Sequence, residues 1–507
     1  MMVAQDVDVD KSKEIVRLAD ELVSVIRTAA VKGTPMHDVE RDVLTRVLRL
    51  GHAALQEFVR LQGTGDLGET FTPSDGQVLK RLPELRHREL MTVFGSLELE
   101  RTAYGTREGQ AIELVPLDSR LALPESKFSY VLQDLSQLLA CEEPFAKVAQ
   151  FLKRLLGLTL HVDSLERTNR AMAQDVEPFR ESQPVPPSKE EGTILVESAD
   201  GKGVPIRRPA DAPRIQDHQH KRGPKKDRKK MAIVGTVYTV DRHVRTPEEI
   251  VEALFRSPEE DATPHQRPRP CHKQVYASLT HENDDEDQAR NGLATIMGWI
   301  AEQCRDRNPT GSKETVCVMD GQESLWDARR LFQPDEPVTE VLDLLHVTQR
   351  LWQLAHLWHT PDTRPAEAFV REKLLRILRG EVRSVVGGLR QMATKRGLKG
   401  RSRTELHKIC RYFENNRDRM RYNECLAKGY PIASGAIEGA CRHYVKDRME
   451  RAGMSWIKPG AQAMLDLRSI HLNDHWDDYT TYRITQNTKR LHPHRPLMQK
   501  VDWPLAA

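Results

Sequence analysis

Between residues 11 and 63 the apolar positions recur at helical spacing: Ile15, Leu18, Leu22 and Ile26, then Val43, Val47 and Leu55. Gly33, Thr34 and Pro35 interrupt the repeat, so the pattern predicts two amphipathic helices joined as a hairpin, a shape suited to self-association or to packing on the rest of the chain. Residues 90–104, LMTVFGSLELERTAY, alternate around Gly95-Ser96 and predict a short β-hairpin. PFAKVAQFLKRLLG then has Pro144 at a helix start and Gly157 at its end. After LTLHV comes DSLERTNRAMAQDVEPFR, where Asp163 or Ser164 can cap a second helix. Helix, short turn and capped helix is the helix-turn-helix order, although an ordinary helical pair has the same pattern. On the first reading Arg167, Asn169 and Arg170 would face DNA.

ESQPVPPSKEEG (181–192) is rich in proline, polar and without periodicity, and reads as a domain boundary. Beyond it the pattern changes. TILVESAD, MAIVGTVYTV and QVYASLT read as three consecutive strands. A helix over about 285–305, the strand ETVCVMD, a helix through SLWDARRLF and the strand VTEVLDLLHV follow. From 347 to 428 only helical spacing appears, and the β/α pattern resumes with a helix carrying Glu438. Three antiparallel strands, a helix and two further strands flanked by helices is the order of a ribonuclease-H-like core, so the expected class is α/β with an all-α insertion. The predicted organisation is a helical hairpin at 1–75, a β-hairpin with a helix-turn-helix-like DNA-binding region at 76–182, and a catalytic domain from 190–346 and 429–480. The insertion occupies 347–428, and 481–507 is a C-terminal tail.

Composition narrows this picture modestly. The chain has 507 residues, 30% of them charged, yet a net charge of only +3, so any case for a polyanionic partner has to come from local clusters. Seven scattered cysteines contain no C-x-x-C pair, which favours reduced thiols over a disulfide frame or a zinc site. There is neither an apolar signal segment nor a run approaching the ~20 residues that span a bilayer. The expectation is a cytoplasmic protein with no membrane partner.

Three acids stand out. Asp200 in ILVESADGKGVPI and Asp320 in TVCVMDGQESLW each end an apolar β-type run and precede a glycine, and Glu438 follows a Gly-bearing turn. An isolated Asp-Gly is most often a turn, and a lone Glu a solvated helix residue. Two Asp-Gly pairs placed alike suggest divalent-metal phosphoryl chemistry, which needs few, all-carboxylate ligands around two Mg2+ or Mn2+ ions ~3.5–4 Å apart. In DLLH (343–346), Asp343 and His346 share one face of a helix start, where His346 would orient a carboxylate or touch a phosphate if it is not simply structural. KRGPKKDRKK gathers Lys221, Arg222, Lys225, Lys226, Arg228, Lys229 and Lys230; Arg442, Lys446, Arg448 and Arg451 follow Glu438. Such runs are usually solvated, but their position beside the acids suits phosphate contact. HENDDEDQ (281–288) is the main acidic decoy and reads as a solvated loop.

From about residue 90 to 480 the chain resembles the bacterial insertion-sequence DDE transposases of the Mutator-like group, most closely the ISKra-type family. The resemblance rests on ESADGKGVPI, on VMDGQESLWDARRLF with VLDLLHVTQRLW, and on PIASGAIEGACRHYVKDRMERAGMSW with GAQAMLDLRS, in that order. It implies a ribonuclease-H-like domain interrupted between the second Asp and the Glu. Asp200, Asp320 and Glu438 would be its metal-binding catalytic triad, with Asp343 and His346 matching an acid-x-x-His element. It departs in having no cysteine between residues 1 and 140, where many relatives have a cysteine knuckle.

The activity implied is two-metal-dependent cleavage at the ends of a mobile element, then attack of the freed 3′-hydroxyl on target DNA. The partners implied are double-stranded DNA, both element ends and target, and a second copy, since joining two ends calls for at least a dimer in a nucleoid-associated setting. Two alternatives have the same motifs: a structure-selective nuclease or resolvase, and a non-catalytic DNA-binding protein of transposase descent.

Overall fold

The computed structural model describes residues 11–73, 76–106, 112–207, 229–256, 267–280, 291–451, 454–501 and 503. The chain divides into two units, one of residues 1–179 with 475–507, the other of residues 180–474. The break falls at the start of the predicted linker.

In the first unit α1 (Lys11–Lys32) and α2 (Met36–Gln62) pack together, separated where Gly33 takes a φ of 60° and Pro35 precedes α2. β1 (Thr70–Phe71), β2 (Leu79–Arg81) and β5 (Tyr104–Gly105) form a small antiparallel sheet. β3 (Arg86–Thr92) and β4 (Gly95–Arg101) form the expected hairpin, but its turn is Val93-Phe94, two residues earlier than the alternation implied. The Thr92 hydroxyl fixes that turn by accepting from the Phe94 N–H at 3.2 Å and donating to the Gly95 carbonyl at 2.9 Å.

Helices α3 (Pro116–Leu121), α4 (Tyr130–Glu142), α5 (Phe145–Leu156), α6 (Val162–Ala173) and α7 (Val176–Glu181) follow. α5 stops at Gly157, which is left-handed at φ 73°. The cap of α6 is His161, with no side-chain hydrogen bond; Asp163 and Ser164 lie inside the first turn, so neither is the cap expected. The described part of the predicted tail, 481–501, is no loose segment. α19 (Trp476–Leu491) and α20 (Arg495–Met498) belong to this unit, held by Trp476 Nε1 donating to Asp134 at 2.6 Å and by His492 Nε2 at 2.7 Å from the Leu123 carbonyl. Burial of Trp476 and Tyr479 explains the docking, and it moves the end of the second unit from 480 to 474. Nor does the α1–α2 hairpin stand apart from residues 76–179 as a separate unit.

The second unit is α/β. Its strands are β6 (Ile194–Pro205), β7 (Lys229–Val240), β8 (Cys271–Leu279), β9 (Glu314–Met319) and β10 (Val338–Leu342), in the order β10-β9-β6-β7-β8. β7 is antiparallel to both β6 and β8, whereas β9 and β10 run parallel to β6. α8 (Pro247–Phe255), which the strand-by-strand reading lacks, lies between β7 and β8; α9 (Gly292–Arg307) and α10 (Glu323–Phe332) flank β9. Ile194, Val196, Val316 and Val318 face one core, shared with α11 (Leu344–Ala355), α12 (Arg364–Leu378), α13 (Val382–Lys395), α14 (Gly400–Asn415) and α15 (Tyr422–Ala427). Leu195, Ala199, Cys317 and Met319 face the other, against α9 and α10. Covering both faces is why these strands read as almost unbroken apolar runs.

After the helical insertion, α16 (Gly435–Ala440) continues through a π-helical turn at Cys441–Lys446 into α17 (Asp447–Met449), and α18 (Lys458–Leu472) follows. α16 packs on β6 and β7, and α18 on β8. Among the described residues no helix is long and apolar enough to cross a membrane.

Candidate active site

The sheet register decides where the acids stand. Every β6–β9 rung joins residues 120 apart, from Ile194–Glu314 to Glu197–Cys317. Asp200 and Asp320 continue that spacing three residues on, and the Ser198 hydroxyl donating to the Val318 carbonyl carries the contact toward them. Each β9–β10 rung joins residues 23 apart, ending at Met319–Leu342, which puts Asp343 next to Asp320. Three acids thus stand at one level where β9 and β10 end, with Asp320 in the middle strand. Alternation along β6 and β9 puts Asp200 and Asp320 on the face of the insertion helices. Glu197 faces the other way; it is buried and spent on Arg329 Nε at 3.0 Å and Gln333 Nε2 at 2.9 Å.

The expectation that Asp200 ends its strand is corrected. β6 runs on to Pro205, and Asp200 sits within the ladder opposite Val234. Its carboxylate accepts from the Gly201 N–H at 2.7 Å. Asp320 does follow its strand directly and accepts from the Gln322 N–H at 2.8 Å, closing the turn into α10. Burial pushes the Asp320 carboxyl above the ordinary aspartate value, against the pull of the Gln322 N–H; the negative charges of Asp200 and Asp343 push the same way, and His346 opposes them. Acids that crowd negative charge in a half-buried place suit a cation.

Asp343 caps α11, accepting from the Leu345 N–H at 3.0 Å. It is fully buried and also accepts from the Ser434 N–H at 3.1 Å and the Ser434 hydroxyl. His346 Nε2 lies 3.8 Å from its carboxylate, half-buried. Asp343 therefore ties the end of β10 to the segment that begins α16. Glu438 is exposed on α16, which Cys441 directly follows. That buried thiol hydrogen-bonds to Asp200 and is pushed far up, first by burial, then by the Asp200 carboxylate, with Glu438 adding its charge. Among the described residues no three His, Cys, Asp or Glu side chains have the spacing that holds a metal ion. The donor set is nevertheless all hard carboxylate oxygen, with two members level on adjacent strands, and its chemistry fits Mg2+ or Mn2+.

The glycines after the two aspartates are closely packed. A Cβ at Gly321 would fall 2.2 Å from the Tyr412 ring of α14, and one at Gly201 2.8 Å from the Met231 side chain. Tyr412 covers the Asp320 turn, taking the Gly321 N–H on its hydroxyl, and burial pushes that phenol up to about 12. Ser434, Cys441 and Tyr412 are site residues that sequence reasoning missed. Nothing in the sequence marks Tyr412, and only its place in a Gly-flanked loop hints at Ser434.

Among the basic candidates, Arg167, Arg442 and Lys446 are exposed and Arg170 is half-buried. Lys229 and Lys230 open β7, with Lys229 paired to Glu450. Lys221, Arg222, Lys225, Lys226 and Arg228 lie outside the described residues, as does the acidic segment 281–288. Two candidates are corrected. Asn169 is 1% exposed, its amide donating to Gln137 Oε1 at 3.0 Å, because it lies on the inner face of α6. Arg448 is likewise 1% exposed, stacked 4.9 Å over Trp456. Arg451 is half-buried and donates to the Asp447 carbonyl at 2.7 Å.

No protein-family model matches the chain, and no curated protein matches it either.

Proposed function

We propose that this chain is a DNA transposase of the ISKra-like DDE type, with Asp200, Asp320 and Glu438 as its catalytic acids. The observation that carries this reading is the level placement of Asp200 and Asp320 on adjacent parallel strands, with the helix of Glu438 packed on the strand of Asp200. The strand order, counted three-two-one-four-five with the first three antiparallel, is that of ribonuclease-H-like cores, and the helical segment falls between the second Asp and the Glu. Mg2+ or Mn2+ bound by the acids would polarise the attacking oxygen and offset charge on the leaving one. The chain's own residues supply the rest. The β-ladder holds Asp200 and Asp320 in fixed relation, and Asp343 anchors the segment leading to Glu438. Arg442 and Lys446 project beside it toward a phosphate backbone.

On this reading α5 and α6 form the helix-turn-helix-like element, with Arg167 and Arg170 toward DNA. Val16, Val23, Ile26 and Val31, exposed on α1, suit self-association. A cytoplasmic, nucleoid-associated setting goes with that partner.

The test is a strand-transfer assay on an oligonucleotide bearing an element end, with Mg2+. Asp200→Asn, Asp320→Asn and Glu438→Gln should each cost on the order of 10²-fold or more, the loss expected when a reacting group is misplaced. Full joining by any of them removes the assignment. Cleavage without joining would make the chain a nuclease or resolvase, and specific binding without turnover a retired transposase.

A further inference from the structure

α6 and α19, together with the segment leading into α4, line a cavity of about 650 Å3 within the first unit. Its charge is lopsided. Lys127, Arg167, Arg483 and Arg490 line it against only Glu125 and Asp175. On α19, Arg483, Asn487 and Arg490 follow one another at helical spacing on one face; on α6, Ser164, Arg167 and Ala171 do the same.

The cations are arranged for something beyond each other. Arg167 donates only to the neutral Ser164 hydroxyl at 3.3 Å, and Arg490 only to the Asn487 side-chain oxygen at 2.7 Å. Neither has an ion-pair partner among the described residues. Arg483 sits deeper, its Nε 3.3 Å from Asp175 and its guanidinium 5.9 Å from the Tyr130 ring. The Tyr130 hydroxyl oxygen is buried with no hydrogen-bond partner, and burial pushes its pKa up, so it stays a neutral donor. Two exposed guanidiniums whose hydrogen-bond partners are both neutral groups suit an acceptor-rich anion. The volume exceeds that of one bare phosphate and lies in the range of nucleotide-sized ligands. Phe128 and Leu491 add apolar wall of the kind a deoxyribose packs against.

We propose that this cavity seats a phosphodiester of bound DNA, gripped by the exposed Arg167 and Arg490 and backed by the buried Arg483. The proposal deepens the transposase reading and rests on its DNA partner. It makes α19, whose sequence suggested a tail, one wall of the DNA-binding surface of the first unit.

The experiment measures affinity of the full chain for a short duplex as a function of salt, with Arg490→Gln and Arg167→Gln beside the unaltered protein. Each Arg variant should bind roughly 3- to 10-fold more weakly, on all sequences alike, and lower the slope of log K against log [salt] by about 1. Arg490→Lys should recover most of the slope, which a merely misfolded variant would not do. Unchanged affinity and slope in both Arg variants overturn the proposal. So does displacement of a fluorescent mononucleotide by inorganic phosphate at this site while duplex affinity ignores Arg490, which would make it a free-anion site. Cleavage is read in parallel. If Asp200→Asn keeps full strand transfer but Arg490→Gln loses the salt slope, the catalytic reading fails and the DNA seat stands. If Asp200→Asn abolishes transfer and the slope is untouched, the seat fails alone.

Discussion

Ser434 gives both its backbone N–H and its hydroxyl to the fully buried carboxylate of Asp343, 91 residues earlier in the chain. With the Leu344 N–H donating to the Ile432 carbonyl at 3.0 Å, this fastens the segment before Glu438 to the strand end beside Asp320. Ser434→Ala removes one donor to a buried charge. The expected cost is about 1–3 kcal/mol, seen as a thermal midpoint lower by several degrees. On the proposed transposase reading, strand transfer should fall further than the stability loss explains, because the segment leading to Glu438 loses its anchor. An unchanged midpoint would show that the Ser434 hydroxyl bears no load there.

Gly321 is required by Tyr412. Because an added Cβ would lie 2.2 Å from the ring, Gly321→Ala should destabilise by about 1–3 kcal/mol. Tyr412→Ala opens the space, so the double variant should be more stable than the sum of the single effects predicts. A double-mutant cycle by chemical denaturation reads the coupling, and simple additivity would rule out the clash.

Asp320 carries a pH signature. Its folded carboxyl binds the proton more tightly than an unfolded one, so its contribution is fully present at pH below the ordinary aspartate value. That contribution is lost as pH rises through the folded-state value. In metal-free buffer the stability of the protein should therefore decline over the interval just above the ordinary aspartate range. Asp320→Asn should lack that part of the decline and be the more stable protein at neutral pH. Mn2+ should raise the melting midpoint of the unaltered chain and not that of the variant. Overlaying pH profiles would dispose of the crowding argument.

Six of the seven cysteines are buried, and burial pushes the thiols of Cys304, Cys317, Cys410, Cys425 and Cys441 up; Cys271 alone is partly exposed. A thiol reagent should titrate about one equivalent from the native protein at pH 8 and the remainder only after denaturation. Rapid reaction of more than one thiol would contradict this packing.

The strands of the second unit and the helices of the insertion were legible because burial on both faces leaves long apolar runs and periodic spacing. Asp200 and Asp320 were legible only as aspartates after apolar β-type runs; their level placement depends on a register that no local pattern records. Asn169 and Arg448 show the opposite failure. A polar residue at the right helical position looks like a contact until the packing of the neighbouring helix turns it inward, and that depends on partners distant in sequence such as Gln137. The Val93-Phe94 turn was missed because glycine drew the prediction, whereas the Thr92 side chain sets the turn. Residues 475–507 offered too little apolar signal to show that Trp476 and Tyr479 dock on helices more than 300 residues away.

The 120-residue span between paired β6 and β9 also sets an order of events in folding. β6, β7 and β8 are neighbours in sequence and can zip as a meander, whereas the β6–β9 ladder must first close a long loop, an entropic cost that makes such pairings slow. Asp200 and Asp320 therefore come level only after most of the second unit has been synthesised, and α16, which carries Glu438, packs on β6 later still. A chain released early from the ribosome would have the meander and none of the assembled acids. Incomplete copies of this protein are in that way kept from bringing the two aspartates level.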